Sequence, residues 1–305
     1  MTSIPPPFQH PGPPPSRPEL PDGAPVPAEG SDELLPPLGV PVWAPFLAAL
    51  VAVVGLLGVS IVVGIAVGIG GGENDDLDSD GFLIGLTLAQ DILLVASAVA
   101  VVWWLAGRPV PAAFGLRLPE WRSALGWAAA GYGVFWVVVI IVGLALGEPE
   151  DQELVTDLKA QDSLAVLIGF GVLTCVIAPL TEEFVFRGFL FRVLWERTNV
   201  IFATVASGAL FGMVHKPGAD WISVLVLGAL GAILCLVFVR TVSLVPCIML
   251  HAFHNSISFG VVKELPWWGF LLLVFGSVMT TLAISVVAMR LRPRAPAREP
   301  ALSPS

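Results

Sequence analysis

Eight blocks of nearly uninterrupted apolar residues run through this chain, near 43–70, 82–106, 123–147, 163–196, 199–216, 221–239, 242–262 and 267–289. A helix needs about 20 such residues to cross roughly 30 Å of hydrocarbon, and blocks of this length recur too often to be core helices of a soluble domain. Composition agrees. Hydrophobic residues make up 56% of the 305 and charged ones 13%, against about 25% charged in soluble domains. So few charges could not cover the surface of a water-soluble enzyme, and so much apolar content excludes a disordered chain. The expected fold class is an all-α, polytopic transmembrane bundle of about eight helices. The fourth block is long and carries Pro179, which predicts a kink; the fifth is short and could be partly buried in protein.

The chain divides into three parts. Residues 1–42 hold 14 of the 27 prolines and little apolar periodicity, which predicts a disordered, Pro-rich cytosolic tail that does not read as a signal peptide. Residues 43–290 form the transmembrane bundle, and 291–305 a short basic C-terminal tail. With both termini in the cytosol, 12 of the 15 basic residues, including every arginine, fall on the inner side, as the positive-inside rule expects. Shifting the count by one helix destroys that asymmetry. The acidic stretches 73–80 and 148–157 then read as solvated outer loops, and 108–123 as a segment lying in the interface. The absence of organelle signals and the arginine bias fit an integral protein of a bacterial plasma membrane. A net charge of −9 argues against nucleic acid as a partner, since phosphate binding needs a basic surface. Trp103, Trp104, Trp267 and Trp268 sit at span ends as interfacial anchors. Cys175, Cys235 and Cys247 lie in apolar runs without a CxxC pair and read as small core residues.

Ionisable groups inside a span are costly and mark function. They concentrate in three stretches: TEEFVFRGFLFR with Glu182, Glu183 and Arg187; FGMVH with Phe211 and His215; and HAFHN with His251, His254 and Asn255. Residues four apart share a helix face, so Glu183 can pair with Arg187 and His251 lies over Asn255. At 1.5 Å per residue, Glu182 lies ~22 Å from the cytosolic end of its helix, His215 ~24 Å, His251 ~15 Å and Asn255 ~21 Å. Three helices therefore bring polar groups to overlapping depths, as one shared site requires. A carboxylate and a histidine facing one water can take its proton. A second histidine and an amide can stabilise the oxyanion that water attack creates on a peptide carbonyl. The inventory fits amide hydrolysis without a covalent intermediate.

These motifs resemble the CAAX protease and bacteriocin-processing (CPBP, or Abi) family, which includes the type II CAAX prenyl endopeptidases. The family pattern of EExxxR, FxxxH and HxxxN reads here as Glu182-Glu183 with Arg187, Phe211 with His215, and His251 with Asn255. The resemblance spans about 163–262. It implies an intramembrane endopeptidase in which Glu182 and His215 activate water, His251 and Asn255 form the oxyanion site, and Glu183 and Arg187 hold the site in shape. The substrate implied is a membrane-associated peptide or protein segment met in the lipid bilayer. The family is often labelled metalloprotease, and Glu182, His215 and His251 are residue types that a divalent metal such as zinc accepts, although HExxH is absent. A non-catalytic reading is also open: a membrane scaffold or regulator that keeps the polar cluster for helix packing. His254 reads as a packing group beside His251. Asp91, mid-span on the second block, lies outside the motifs. Ser207-Gly208 resembles the rhomboid GxSG, but Val205 replaces its first glycine, and no pair of spans carries the presenilin-type aspartates.

Overall fold

The computed structural model describes residues 35–70, 80–107, 111–150 and 152–290. The expected C-terminal tail, most of the expected N-terminal tail and the stretch 71–79 lie outside the described residues. Among the described residues the chain is helical, with no strand. The helices are α1 (Ala44–Gly70), α2 (Asp80–Ala106), α3 (Trp121–Leu146), α4 (Glu153–Ala160), α5 (Leu164–Arg197), α6 (Val200–Met213), α7 (Trp221–Thr241), α8 (Leu244–Val262) and α9 (Trp267–Arg290). All eight apolar blocks form helices, and seven of these are long and apolar enough to cross a membrane. This is the architecture of an integral membrane protein. The exception is α6, whose 14 residues reach only about 21 Å.

Polar caps end the apolar runs. The Glu120 carboxylate accepts the N–H groups of Arg122 and Ser123 at the start of α3. Asn199 accepts the Phe202 N–H at the start of α6, and Asp220 that of Ser223 at the start of α7. Each cap satisfies a backbone donor that the first helical turn leaves unpaired. Between α7 and α8 only Val242 and Ser243 intervene, with Val242 left-handed at φ 51°. So tight a turn forces the two helices to run antiparallel.

The helix α5 is the hinge of the packing. Its Leu190, Phe191 and Leu194 join Phe135 of α3, Ala203 of α6, Leu234 and Phe238 of α7, and Ile248 of α8 in the main core. Its other side, through Phe189 and Val193, packs with α1 and α2. The most hydrophobic stretches of α7 and α8 are 50% and 56% buried, against 11% for α1 and 6% for α3. The former are therefore protein-facing, and the latter present apolar side chains to lipid. Cys175, Cys235 and Cys247 are buried and free, as small core residues would be.

Three regions depart from the sequence reading. The tail expected to run to residue 42 is packed from Leu38 onward. Leu38 and Val40 are buried, the Leu38 N–H donates to Glu196, and Arg192 and Arg197 donate to the carbonyls of Pro36 and Val40. Prolines at 36, 37 and 41 rule out a helix there, and the polar end of α5 fastens the extended chain instead. The acidic stretch 148–157 is not all solvated loop, because it contributes the first turns of α4. Lys263 donates to the carbonyls of Leu158 and Gln161 at the end of that helix. Finally, the segment expected to lie in the interface is docked into the bundle at Ala113 and Phe114. The Phe114 ring meets Phe184 at 4.7 Å.

Candidate active site

The site begins with an irregularity in α5. Two π-helical stretches, Leu173–Ile177 and Phe184–Phe191, bracket the segment that carries Glu182 and Glu183. Such wide turns inside α-helices recur at functional sites. The kink expected at Pro179 takes this form. The Ala178 N–H reaches back to Leu173 O, and the donor that would serve Thr174 O in the same register is Pro179, which has none. Asn255 fills the gap, with Nδ2 donating to Thr174 O at 2.9 Å. An amide nitrogen carries two N–H groups, so this bond orients Asn255 and leaves one donor free.

Glu183 and Arg187 are fully buried and paired, Nη1 to Oε1 at 2.7 Å. Arg187 Nη2 donates to Gly231 O at 2.9 Å, and its guanidinium lies 4.5 Å from the Phe211 ring centre. The same Glu183 Oε1 accepts Nδ1 of His251 at 2.8 Å. Glu183 therefore does more than hold α5 in shape, because it fixes the ring of His251 from across the bundle. With Nδ1 so engaged, Nε2 faces the other carboxylate, 3.9 Å from Glu182 Oε2. That oxygen is buried and has no hydrogen-bond partner among the described residues. The gap is too long for a direct bond and suits a bridging molecule.

His215 lies two residues past the end of α6, in the turn that precedes Lys216-Pro217-Gly218. The His215 N–H bonds to Gly212 O, so the helix tightens and Phe211 O loses its backbone donor. The His215 ring supplies it, with Nδ1 donating at 2.7 Å. Because a carbonyl only accepts, Nδ1 holds the proton and Nε2 keeps the lone pair that a base needs. The Phe211 ring stands between the two histidines, 5.1 Å from His215 and 5.8 Å from His251, centre to centre.

Glycines bring these elements close enough to meet. A Cβ on Gly212 would collide with Val224 O, and one on Gly208 would lie 2.8 Å from Gly228 O. Helices α6 and α7 therefore touch backbone to backbone, as small residues permit in membranes. Gly208 serves this packing.

Glu182, His215, His251 and Asn255 all line one cavity of about 630 Å³. Asp91, His254, Leu158 and Pro45 line it too, so α1, α2 and α4 complete its wall. Sequence spacing had singled out the first four. It offered no account of Asp91, although Thr87, Asp91, Leu94 and Ala98 follow the three-four spacing of one helix face. Nor could spacing show the bonds of Glu183 to His251 or of Asn255 to Thr174, which join residues 68 and 81 positions apart.

Among the described residues, no three His, Cys, Asp or Glu side chains stand close enough together to hold a metal ion, Glu182, His215 and His251 included. Each histidine has Nδ1 bonded to a protein acceptor, which leaves its Nε2 free.

Comparison with known proteins converges on the same segment. Residues 164–257 match the family described as type II CAAX prenyl endopeptidase Rce1-like. The resemblance read from the three motifs is thereby shown for the segment that carries them. A protein of Bacillus subtilis named "Putative membrane peptidase YdiL" is 28% identical over 149 residues, covering 46% of this chain and 56% of its own length. A Mycoplasma capricolum protein of no stated function is 31% identical over 133 residues, covering 42% of this chain and 38% of its own. The chain thus spans about half the length of these relatives or less. No solved structure matches.

Proposed function

We propose that this chain is an intramembrane endopeptidase that cleaves a peptide bond with water activated by Glu182 and His215. The observation that carries the reading is the buried, unpartnered Glu182 Oε2 in the wall of a large cavity, 3.9 Å from His251 Nε2. An intramembrane carboxylate left without a partner is costly, and a water held there gives it one. Glu182 takes the proton of that water, and Nε2 of His215 is a second acceptor on the same cavity. Attack on a peptide carbonyl creates an oxyanion. The free Asn255 N–H donates to it, and so does Nε2 of His251 once Glu182 has passed the water proton to that nitrogen, with Glu183 holding the Nδ1 side. The proton taken from water then passes to the leaving amine. Burial strengthens each of these interactions by excluding bulk water.

The substrate is a peptide or protein segment that enters from the bilayer, a reading supported by the mostly apolar cavity wall, to which α1 and α2 contribute. The arginine bias supports a cytosolic N-terminus. The family match and the name of the Bacillus subtilis relative support peptidase chemistry. The test compares membrane proteomes from cells expressing the wild-type chain or Glu182→Gln. New protein N-termini are expected with the wild type alone. Identical sets from the two, with both proteins folded and equally abundant, would remove the proposal.

A further inference from the structure

The cavity holds a carboxylate that hydrolysis does not use. Asp91 stands in the middle of α2, is 6% exposed and lines the cavity. It has no hydrogen bond or ion pair with any described residue. Helices α2 and α5 run in the same direction, and Asp91 and Glu182 each lie about 22 Å from the C-terminal end of their helix, so they stand at one level.

The surrounding charges do not balance it. Among the described residues that line the cavity there is no lysine or arginine. Arg187, the nearest guanidinium on α5, is engaged by Glu183 and Gly231 O. His251 faces Glu183 and Glu182, and His215 is bonded to Phe211 O. The His254 ring is packed against Tyr132 and Phe135. The polar side of the cavity is thus acidic, its walls are apolar, and its second carboxylate has no cation to pair with among the described residues. A buried charge of this kind is matched by a counter-charge or it is costly.

We propose that Asp91 is a specificity-determining residue that receives a lysine or arginine side chain of the peptide segment lying beside Glu182. This rests on the peptidase reading and adds the substrate class: an apolar segment interrupted by one cation near the bond that is cut. The cation pairs with Asp91 while flanking apolar residues lie against the wall, and the pair sets the register of the backbone over Glu182.

The test uses the full chain in lipid nanodiscs with fluorescent apolar peptides that carry one lysine or one methionine, scanned through each position. Binding is measured in the Glu182→Gln variant, where no turnover occurs and Asp91 is the carboxylate left unpaired. At one or two positions the lysine peptide should bind at least about tenfold tighter, the scale of one charge-assisted hydrogen bond. Adding Asp91→Asn should erase the preference, and Asp91→Glu should keep part of it. Acetylating the peptide lysine should erase it as well, with no change to the protein, which covers the case of a variant that fails to fold. Equal binding of both peptides, or a preference that survives Asp91→Asn or acetylation, overturns the proposal. Cleavage by the chain with Glu182 intact is scored separately. Lysine preference without cleavage would sink the peptidase reading alone, and cleavage without preference would sink this one alone.

Discussion

The α5–α8 core and the α1–α2 pair border the same cavity but hold their polar groups in opposite ways. In the core every candidate side chain except Glu182, whose Oε2 has no hydrogen-bond partner among the described residues, is tied to another element or to its own backbone. Glu183 takes Arg187 and His251, Asn255 takes Thr174 O, and His215 takes Phe211 O. In α2, Asp91 is buried without any such bond, and its partner helix α1 is only 11% buried over its most hydrophobic stretch. Mutual bonding fixes distances, which water activation and oxyanion binding demand. A wall with few bonds can adjust to what enters. On the proposed reading, chemistry and selection fall to different helices: the motif residues carry the first and Asp91 of the peripheral pair carries the second.

Four experiments press on that contrast. The largest effect is expected from Arg187→Ala, which strands Glu183 as an uncompensated buried charge. It should lower unfolding stability in detergent by about 3–5 kcal/mol. A change near zero would mean that the core is not held as described. Next is Gly212→Ala, where the new methyl meets Val224 O; overpacking of this kind should cost about 1–3 kcal/mol. Its control is Gly58→Ala in α1, where nothing lies within 4 Å of the new carbon. That change should be neutral or stabilise by up to about 1 kcal/mol. Equal losses at the two glycines would erase the distinction between the regions. Asn255→Ala should cost about 1–3 kcal/mol by leaving Thr174 O unpaired. The smallest effect sharpens this last claim. Pro179→Ala restores the backbone N–H that Thr174 O lacks, so Asn255→Ala should cost about 1 kcal/mol less in that background. A coupling of zero in the double-mutant cycle would show that Asn255 does not compensate for the proline.

Much of this was legible before any coordinates. Continuous apolar blocks could only be helices of a membrane protein, and α6 was recognisably short. Ionisable residues on three spans were conspicuous because hydrocarbon tolerates so few, and their depths implied one level. What spacing could not show was pairing between helices. Glu183 was readable as the partner of Arg187, four residues on, but its bond to His251 depends on how α5 and α8 face each other. The role of Asn255 depends on a carbonyl freed by Pro179 on another helix. Leu38 and Val40 looked like part of a Pro-rich tail because their burial comes from contacts with α5 and its neighbours, not from local periodicity. Asp91 had no motif around it, and only the cavity gives it one.

The most direct measurement is the rate at which the purified chain, reconstituted in lipid vesicles, cleaves a membrane-embedded fluorogenic peptide, compared with Glu182→Gln. Loss of a general base should lower the rate by at least about 100-fold, with the melting temperature of the variant unchanged. A variant that cleaves as fast as the wild type would contradict the account, and so would a rate that falls only in step with loss of fold.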